Sequence, residues 1–447
     1  MKAILRVLAL FLFSLVFFQT SYLKAQDWVR TGTNLGNQRI RLAAADFKPV
    51  GSDPQTPVLK NLFDTTLFND LSNAGIFDMV SKSLAPQATP GSPQELNAAQ
   101  WTAAPASAAM VALGALSADN GRLVVYGWLM DTGAAATSPP VLARVYNEQA
   151  SEDMARTVAH RFADEIISRL GGGVNGICET KIYFVSNRTG SKEIWVMDYD
   201  GANQHAVTHL GTVSMSPRIS PDGSRIAFSS LEKNGWAIRM FSLDLNRTVS
   251  FPAGTAGGSN LSPAWSADGE KIAFSSARSG HPEIWVVDAD GRNLQQITTW
   301  GSDVSPVWNP RNGTQLSFVS GRTGEPQVYV INQDGSNVQR MTDSGYAISP
   351  SWSTSGLLAL SWNRKYGPGD PGGQDIYVFD VASKRWLQAT HEAGSNDFPS
   401  WSPDGRHIVF QREINHHAQI WEMLGDGTEQ HQLTTSGENS MPNWSWK

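Results

Sequence analysis

From Lys181 onward the chain runs in short strand-type stretches separated by clusters of Gly, Asp, Ser and Asn. Ile272 and Phe274 share one face of a predicted strand, and Trp285 and Val287 share one face of the next. That is the period-two pattern of a half-buried strand. The stretches recur in register: SPRISPDGSRIAFSS from Ser216, SPAWSADGEKIAFSS from Ser262, SPVWNPRNGTQLSFVS from Ser305, SPSWSTSGLLALSW from Ser349 and FPSWSPDGRHIVFQ from Phe398. A second module runs between them: EIWVMDYDG at Glu193, EIWVVDADG at Glu283, QVYVINQDG at Gln327, DIYVFD at Asp375 and QIWEMLGDG at Gln419, with a divergent copy, AIRMFSLD, at Ala237. Copies close on short segments such as AVTH, QQIT, QRMT and HQLT. The aligned prolines Pro217, Pro263, Pro306, Pro350, Pro399 and Pro442 are separated by 46, 43, 44, 49 and 43 residues. Four short segments in a period in the mid-40s predict the blades of a β-propeller, and the repeated Asp-Gly pairs supply the positive-φ turns of its hairpins.

The two ends of the repeat region set the number of blades. The chain finishes on MPNWSWK, an inner-strand module with no successor, while KIYFVSNR at Lys181 is a second-strand module with no predecessor. Joining them predicts a sixth blade built from both ends of residues 179–447, which leaves no sheet edge open. The repeated Trp265, Trp308, Trp352, Trp401 and Trp444 are expected to fill the wedges between neighbouring sheets, with Trp195, Trp285, Trp421, Tyr329 and Tyr377 as a second layer. The Asp of each Asp-Gly pair is expected to be a turn residue.

The pattern before the repeats is mixed, and residues 39–175 read as a smaller α/β domain. Ile40, Leu42 and Ala44 alternate as in a strand. Thr56 is expected to cap a helix that has Pro57 at its first position and Val58, Leu59, Leu62, Phe63, Leu67 and Leu71 on its apolar face, ending at Gly75. Ser92–Glu95 has capping-box spacing. Leu123–Met130 and Val141–Asn147 read as paired strands. A second long helix is predicted over Glu152–Leu170, with Gly171–Gly173 ending it. At the start of the chain, Lys2 and Arg6 precede an apolar run of 12 residues, Val7–Phe18. This is too short to span a bilayer and reads as a secretory signal over residues 1–25. A polar, aperiodic segment, residues 26–38, is expected to be flexible.

Composition narrows the function classes. The chain has 447 residues, 17% of them charged, and a net charge of −6 with no concentration of Lys and Arg, which argues against nucleic acid as a partner. Without Lys2, Arg6 and Lys24, 32 basic residues face 41 acidic ones, a net charge of −9. The single Cys178 excludes an internal disulfide and any Cys-based zinc spacing, and reads as a buried linker residue. The GxSxG, HExxH, GxxxxGK[ST] and GxGxxG motifs are absent. His205 and His209, flanking a predicted strand, do not form a helical metal pair, and His416-His417 reads as a solvated hairpin. About 150 mature residues outside the propeller are too few for a peptidase domain. An exported hydrolase or lyase working through carboxylates, and a ligand-binding propeller with some other envelope partner, both stay open, since spacing alone does not place two carboxylates on one glycosidic bond.

The loops leading into the inner strands carry the clearest functional signal. They read GTVSMSP from Gly211, AGGSNLSP from Ala256, WGSDVSP from Trp300, SGYAISP from Ser344, AGSNDFP from Ala393 and SGENSMP from Ser436. In a propeller these connections share one rim of the central channel. Their Gly, Ser and Asn, with Asp303, Asp397 and Glu438, are expected to form a polar, mildly acidic mouth of exposed loops, a surface suited to binding.

The order of parts and several motifs resemble the TolB family of the Tol-Pal cell-envelope system. The resemblance rests on SPDGSRIAFSS at 220–230, EIWVVDADG at 283–291 and WSPDGRHIVF at 401–410. It extends to the domain junction, AHRFADEIISRLGG at 159–172 with ETKIYFVSNRTGSKEIWVMD at 179–198, and to RIRLAAADFKP at 39–49 with LFNDLSNAGIFDMV at 67–80. It implies a monomeric, non-enzymatic periplasmic scaffold that supports outer-membrane integrity and constriction at division. The implied partner is the peptidoglycan-associated lipoprotein Pal, of OmpA type, bound at the channel mouth. Carried onto this chain, the partner-facing residues are Ser214, Asn260, Asp303, Tyr346, Asn396, Asp397 and Asn439. The resemblance requires no cofactor, and it admits a divalent cation in the channel, toward which Asp303 and Asp397 are the candidates. Family members also contact TolA through an N-terminal element, but QDWVRTGTNLGNQ at 26–38 does not match the acidic-hydrophobic pattern of that element. Three further departures are Ile219 in place of Trp in the second blade, WSTSG in the fifth, and the inserted Lys365–Gln374.

Overall fold

The computed structural model describes residues 28–29, 39–135, 137–364, 373–391 and 394–447. The secretory signal read at 1–25 and most of the inserted loop after Arg364 lie outside the described residues. The chain divides into two compact units, Asn37–Glu179 and Thr180–Lys447, and Trp28–Val29 belong with the second.

The first unit is a mixed sheet with two long helices. Its strands are β1 Ile40–Ala44, β2 Lys48–Pro49, β3 Phe77–Met79, β4 Met110–Asp119, β5 Arg122–Asp131 and β6 Leu142–Gln149, in the order β3-β1-β4-β5-β6 with β2 also on β4. β1 runs parallel to β3 and β4, and β4, β5 and β6 form an antiparallel meander. The helices α1 Gln55–Asn73 and α2 Glu152–Leu170 pack against each other and the sheet. In α2 Ala155, Val158, Ala159, Phe162, Ile166 and Ile167 are buried, and Ser151 caps the helix by accepting from the Met154 amide at 3.2 Å.

Three local expectations are corrected here. Thr56 is not the cap of α1. The helix begins at Gln55, and the buried Thr56 hydroxyl accepts from the Ala118 amide at 3.0 Å, tying α1 to β4. Val58 is 54% exposed, so the buried face rests on Leu59, Phe63, Leu67 and Leu71. The capping box at Ser92 also fails, because the Glu95 carboxylate turns to the Gly91 amide and Lys48, leaving a single 3₁₀ turn over Pro93–Glu95. The central strand β4 went unpredicted. Its residues are apolar or small on both faces, MVALGALSAD, and this erases the alternation that marks a strand.

The exit from this unit is fastened by Asp164 on α2. Its carboxylate accepts from the amides of Cys178 at 2.9 Å and Glu179 at 3.2 Å. Cys178 is 2% exposed, as expected of a buried linker residue.

The second unit is a six-bladed propeller of six four-stranded sheets. Blade I takes its inner strand, Asn439–Trp444, from the C-terminus and its other three, Lys181–Ser186, Glu193–Asp198 and His205–Ala206, from the start of the region. Trp444 pairs with Ile182 and Asn439 with Ser186, and the Trp444 indole donates to the Thr180 hydroxyl at 2.8 Å. Blades II to VI follow in sequence, with inner strands Ser214–Ile219, Asn260–Trp265, Asp303–Trp308, Tyr346–Trp352 and Ser395–Trp401. Trp265 sits in one apolar cluster with residues of blades II and III, Trp308 with III and IV, Trp352 with IV and V, and Trp401 with V and VI. At the junction of blades I and II, where Ile219 replaces Trp, Trp446 and Met441 pack onto the cluster instead.

Two residues of the stretch expected to be flexible are docked. Val29 is fully buried in the cluster between blades V and VI, and the Arg385 guanidinium lies 5.0 Å from the Trp28 ring centre. Apolar side chains fill a slot there, so the polar average of residues 26–38 was a poor guide at these two positions.

Two measurements check this account. Trp265→Ala empties a wedge between two blades and is expected to cost about 3–5 kcal/mol in chemical denaturation. A loss below about 1 kcal/mol would remove the wedge role. Burial pushes the Asp164 carboxyl from 3.8 up to about 6, so the folded state holds its proton more tightly than the unfolded chain. Its stabilising contribution is full below 3.8 and is lost as pH rises through about 6. Asp164→Asn, which keeps the acceptor oxygen, is therefore expected to flatten the thermal midpoint against pH across that window.

Candidate functional site

Each inner strand has the same local anatomy. Its first or second residue is fully buried: Ser214, Asn260, Asp303, Ala347, Asn396 and Asn439 around the ring. Two residues later the backbone turns left-handed immediately before the aligned proline, with φ of 51–53° at Ser216, Ser262, Ser305, Ser349, Phe398 and Met441. Register against the second strand breaks at this point in all six sheets. A left-handed residue is costly where it is not Gly and more so where it is bulky, so six identical bulges on one axis are a built feature. They turn the serines, Phe398 and Met441 into the channel.

Five of the seven residues expected to face a partner are turned inward. Ser214, Asn260, Asp303, Asn396 and Asn439 have no exposed surface, which corrects the expectation of exposed loops. Their side chains hold the rim together. Asn260 donates to the carbonyls of Gly254, Ala256 and Gly258, and its own oxygen accepts from Arg278. Asp303 pairs with Arg322 at 2.8 Å. Asn396 accepts from Arg412 at 2.7 Å and donates to Asp375, and Asn439 donates to Gln419 and to the Ser436 carbonyl. The physical reason is that these loops must carry polar backbone into a closed ring, and each buried carbonyl needs a donor. The remaining two differ. Tyr346 is 43% exposed, while Asp397 is part-buried, with the Phe398 amide on its carboxylate at 2.6 Å. Burial pushes the Asp397 carboxyl up, against the hydroxyls of Ser361 and Ser349.

The candidate cation ligands fare accordingly. Asp303 is committed to Arg322, and beside it burial and the Asp303 charge push the Glu283 carboxyl up. Among the described residues no three His, Cys, Asp or Glu side chains are grouped as a metal ion would need. His416 and His417 are exposed, and His417 pairs with Glu438 at 2.8 Å.

A second repeated network underlies the rim. Thr208, Thr342, Thr390 and Thr434 donate to Glu193, Gln327, Asp375 and Gln419, at 2.5–2.7 Å, and each accepts the next backbone amide. Thr298 does the same with Glu283. Arg188, Arg278, Arg322 and Arg412 stack 4.0–5.1 Å from Trp195, Trp285, Tyr329 and Trp421. The sequence reading missed these arginines, although SNRTG, SARSG and SGRTG repeat the signal. Glycine serves geometry in the same loops: a Cβ at Gly345 or Gly394, both left-handed, would strike the carbonyl of Asn363 or Glu413.

Beside exposed polar residues such as Ser344, Ser395 and Ser436, this rim also exposes five large apolar side chains. Leu210, Leu231, Trp300, Tyr346 and Ile414 are 41%, 40%, 68%, 43% and 40% exposed. Leu210 and Trp300 lie in the loops before inner strands. Leu231 is bonded to Val213, and Ile414 follows Glu413, the partner of Ser395. All five therefore stand at the end where the inner strands begin.

Below the rim the channel widens into two chambers. The upper, about 480 Å³ and open to solvent, is bounded by the six left-handed residues. The lower, about 700 Å³ and also open to solvent, is walled by Trp265, Trp308, Trp352, Trp401 and Trp444. Arg218 reaches both.

Residues 33–137 match the TolB amino-terminal domain and residues 169–368 the TolB beta propeller domain. A protein described as "Protein TolB homolog" from Chlorobium chlorochromatii is 31% identical over 203 residues, 45% of this chain and 44% of that protein. "Tol-Pal system protein TolB" from Actinobacillus succinogenes is 32% identical over 235 residues, 52% of each. The chain thus spans about half the length of the curated relatives it matches. The crystal structure of TolB from Acinetobacter baumannii is similar in fold, with a TM-score of 0.74 over 92% of this chain and 97% of that one at 23% identity.

Asp303→Ala strands a buried guanidinium, and removing one partner of a buried ion pair costs about 3–5 kcal/mol. Urea denaturation showing an unchanged midpoint would return Asp303 to the exposed-loop role first expected of it.

Proposed function

Since this chain belongs to the TolB family, we propose that it is a periplasmic, non-enzymatic scaffold of the Tol-Pal system. In this reading it binds an OmpA-type, Pal-like lipoprotein at the channel mouth and so supports outer-membrane integrity and constriction at division. The observation that carries this reading is the exposed apolar rim of Leu210, Leu231, Trp300, Tyr346 and Ile414. Large apolar side chains exposed together on a rigid frame mark protein-binding surfaces, and aromatic residues supply most of the binding energy there. The contacts are assigned to these residues with Asp397, while Ser214, Asn260, Asp303, Asn396 and Asn439 act by holding the loops in place.

The chambers below support a binding role over a hydrolytic one. Their lining includes no carboxylate and no histidine among the described residues, whereas glycoside cleavage needs two carboxyl groups facing one bond. No TolA contact is assigned to residues 26–38.

The test is titration of the purified protein with the soluble domain of its own organism's OmpA-type lipoprotein. Trp300→Ala combined with Tyr346→Ala is expected to weaken binding by about 10- to 100-fold. Thermal stability should stay within about 0.5 kcal/mol of the parent, because both side chains are exposed. Unchanged affinity would place the contact surface elsewhere.

A further inference from the structure

The channel departs from its own repeat at one position. After the aligned proline the other five blades carry Ala264, Val307, Ser351, Ser400 and Asn443, all small or neutral, while blade II carries Arg218. The same blade lacks the next Trp and has Ile219. A charge thus enters the axis where the wedge aromatic is missing. The Arg218 carbonyl keeps a structural duty, accepting from the Trp265 indole at 3.1 Å.

Among the described residues the guanidinium has no carboxylate partner. Nη1 donates to the Pro217 carbonyl at 2.9 Å, which leaves the other donors of the fork toward the channel. Arg218 is the one ionisable side chain lining either chamber among the described residues. Other propeller arginines spread their donors over side chains and carbonyls of their own loops: Arg322 pairs with Asp303, Arg412 donates to Asn396 and Gln430, and Arg278 to Asn260 and two carbonyls. Burial alone pushes the Arg218 guanidinium down to about 10, which keeps it charged at neutral pH.

We propose that the channel is an anion site in which Arg218 binds a small organic carboxylate. The planar fork of a guanidinium matches a carboxylate in a bidentate way. One positive charge balances one negative charge, whereas a phosphate dianion would need a second cation that the chambers do not supply. The surroundings suit the rest of such a ligand. Ser216, Ser262 and Ser305 line the upper side, and Trp265, Trp308 and Trp352 contribute apolar surface to the wall of the lower chamber. This site is separate from lipoprotein binding at the rim, and its test does not depend on that partner.

The probe is benzoate, with benzamide as its neutral counterpart, titrated into the full chain by calorimetry and by tryptophan fluorescence. Benzoate is expected to bind about 10-fold or more tighter than benzamide. Arg218→Met should abolish that preference and Arg218→Lys should keep part of it. Equal binding of the two probes to the unmodified protein, or no binding of benzoate up to about 10 mM, overturns the proposal even if Arg218→Met fails to fold. A folded Arg218→Met protein that keeps the preference overturns it equally. A tripeptide with a free C-terminal carboxylate, run beside its amide, separates the sources of the carboxylate. Preference for the free acid adds chain ends to the ligands, and its absence alongside benzoate binding confines the site to small molecules.

Discussion

Everything in the propeller depends on closing the ring. Blade I exists only when Asn439–Trp444 returns across the whole repeat region to pair with Lys181–Ser186. Bringing those ends together costs about 5 kcal/mol in chain entropy for a loop of this length. The ladder, the Trp444 bond to Thr180 and the exchange between Lys181 and Ser445 offset that cost. Without them blades I and VI would each present an apolar face and an open edge to water. Cys178 forms no disulfide, so closure is carried by sheet pairing and wedge burial alone.

Closure also explains the division of labour at the mouth. A ring of loops cannot be both buried and unsatisfied, so the polar residues of the rim are used up internally. In five blades the Thr bridges tie the outer segment back to the third strand of the same blade, the stacked arginines clamp the aromatic layer, and Asn260, Asp303, Asn396 and Asn439 collect further donors and acceptors. Large apolar residues are exposed beside the polar ones that remain. Much of the polarity expected of the mouth is therefore structural.

The axis shows how a repeat acquires a special position. Six left-handed bulges set one radius for the channel, so the side chain after each proline projects into a confined space. Five blades keep that position neutral. A single exchange in blade II puts a charge at that position, and among the described residues it is the one ionisable side chain lining the two chambers.

The repeat period, the Asp-Gly turns and the unmatched end modules were enough to read six blades and their closure, since each is a local or periodic property that survives without coordinates. The helices of the α/β unit were legible for the same reason, while the central strand Met110–Asp119 was not, because burial on both faces removes periodicity. The location of the candidate site, one rim of the channel, followed from topology that the repeats imply. Which rim residues face water did not. Asp303 reads as an exposed acid in WGSDVSP and becomes a buried partner of Arg322 only when a residue 19 positions away folds back beside it. Likewise Arg218 is one more charged residue in the sequence, and only the convergence of six strands shows it as the one ionisable side chain lining the chambers among the described residues. Composition and period determine the scaffold through short-range physics; exposure and pairing are decided by contacts between residues distant in the chain.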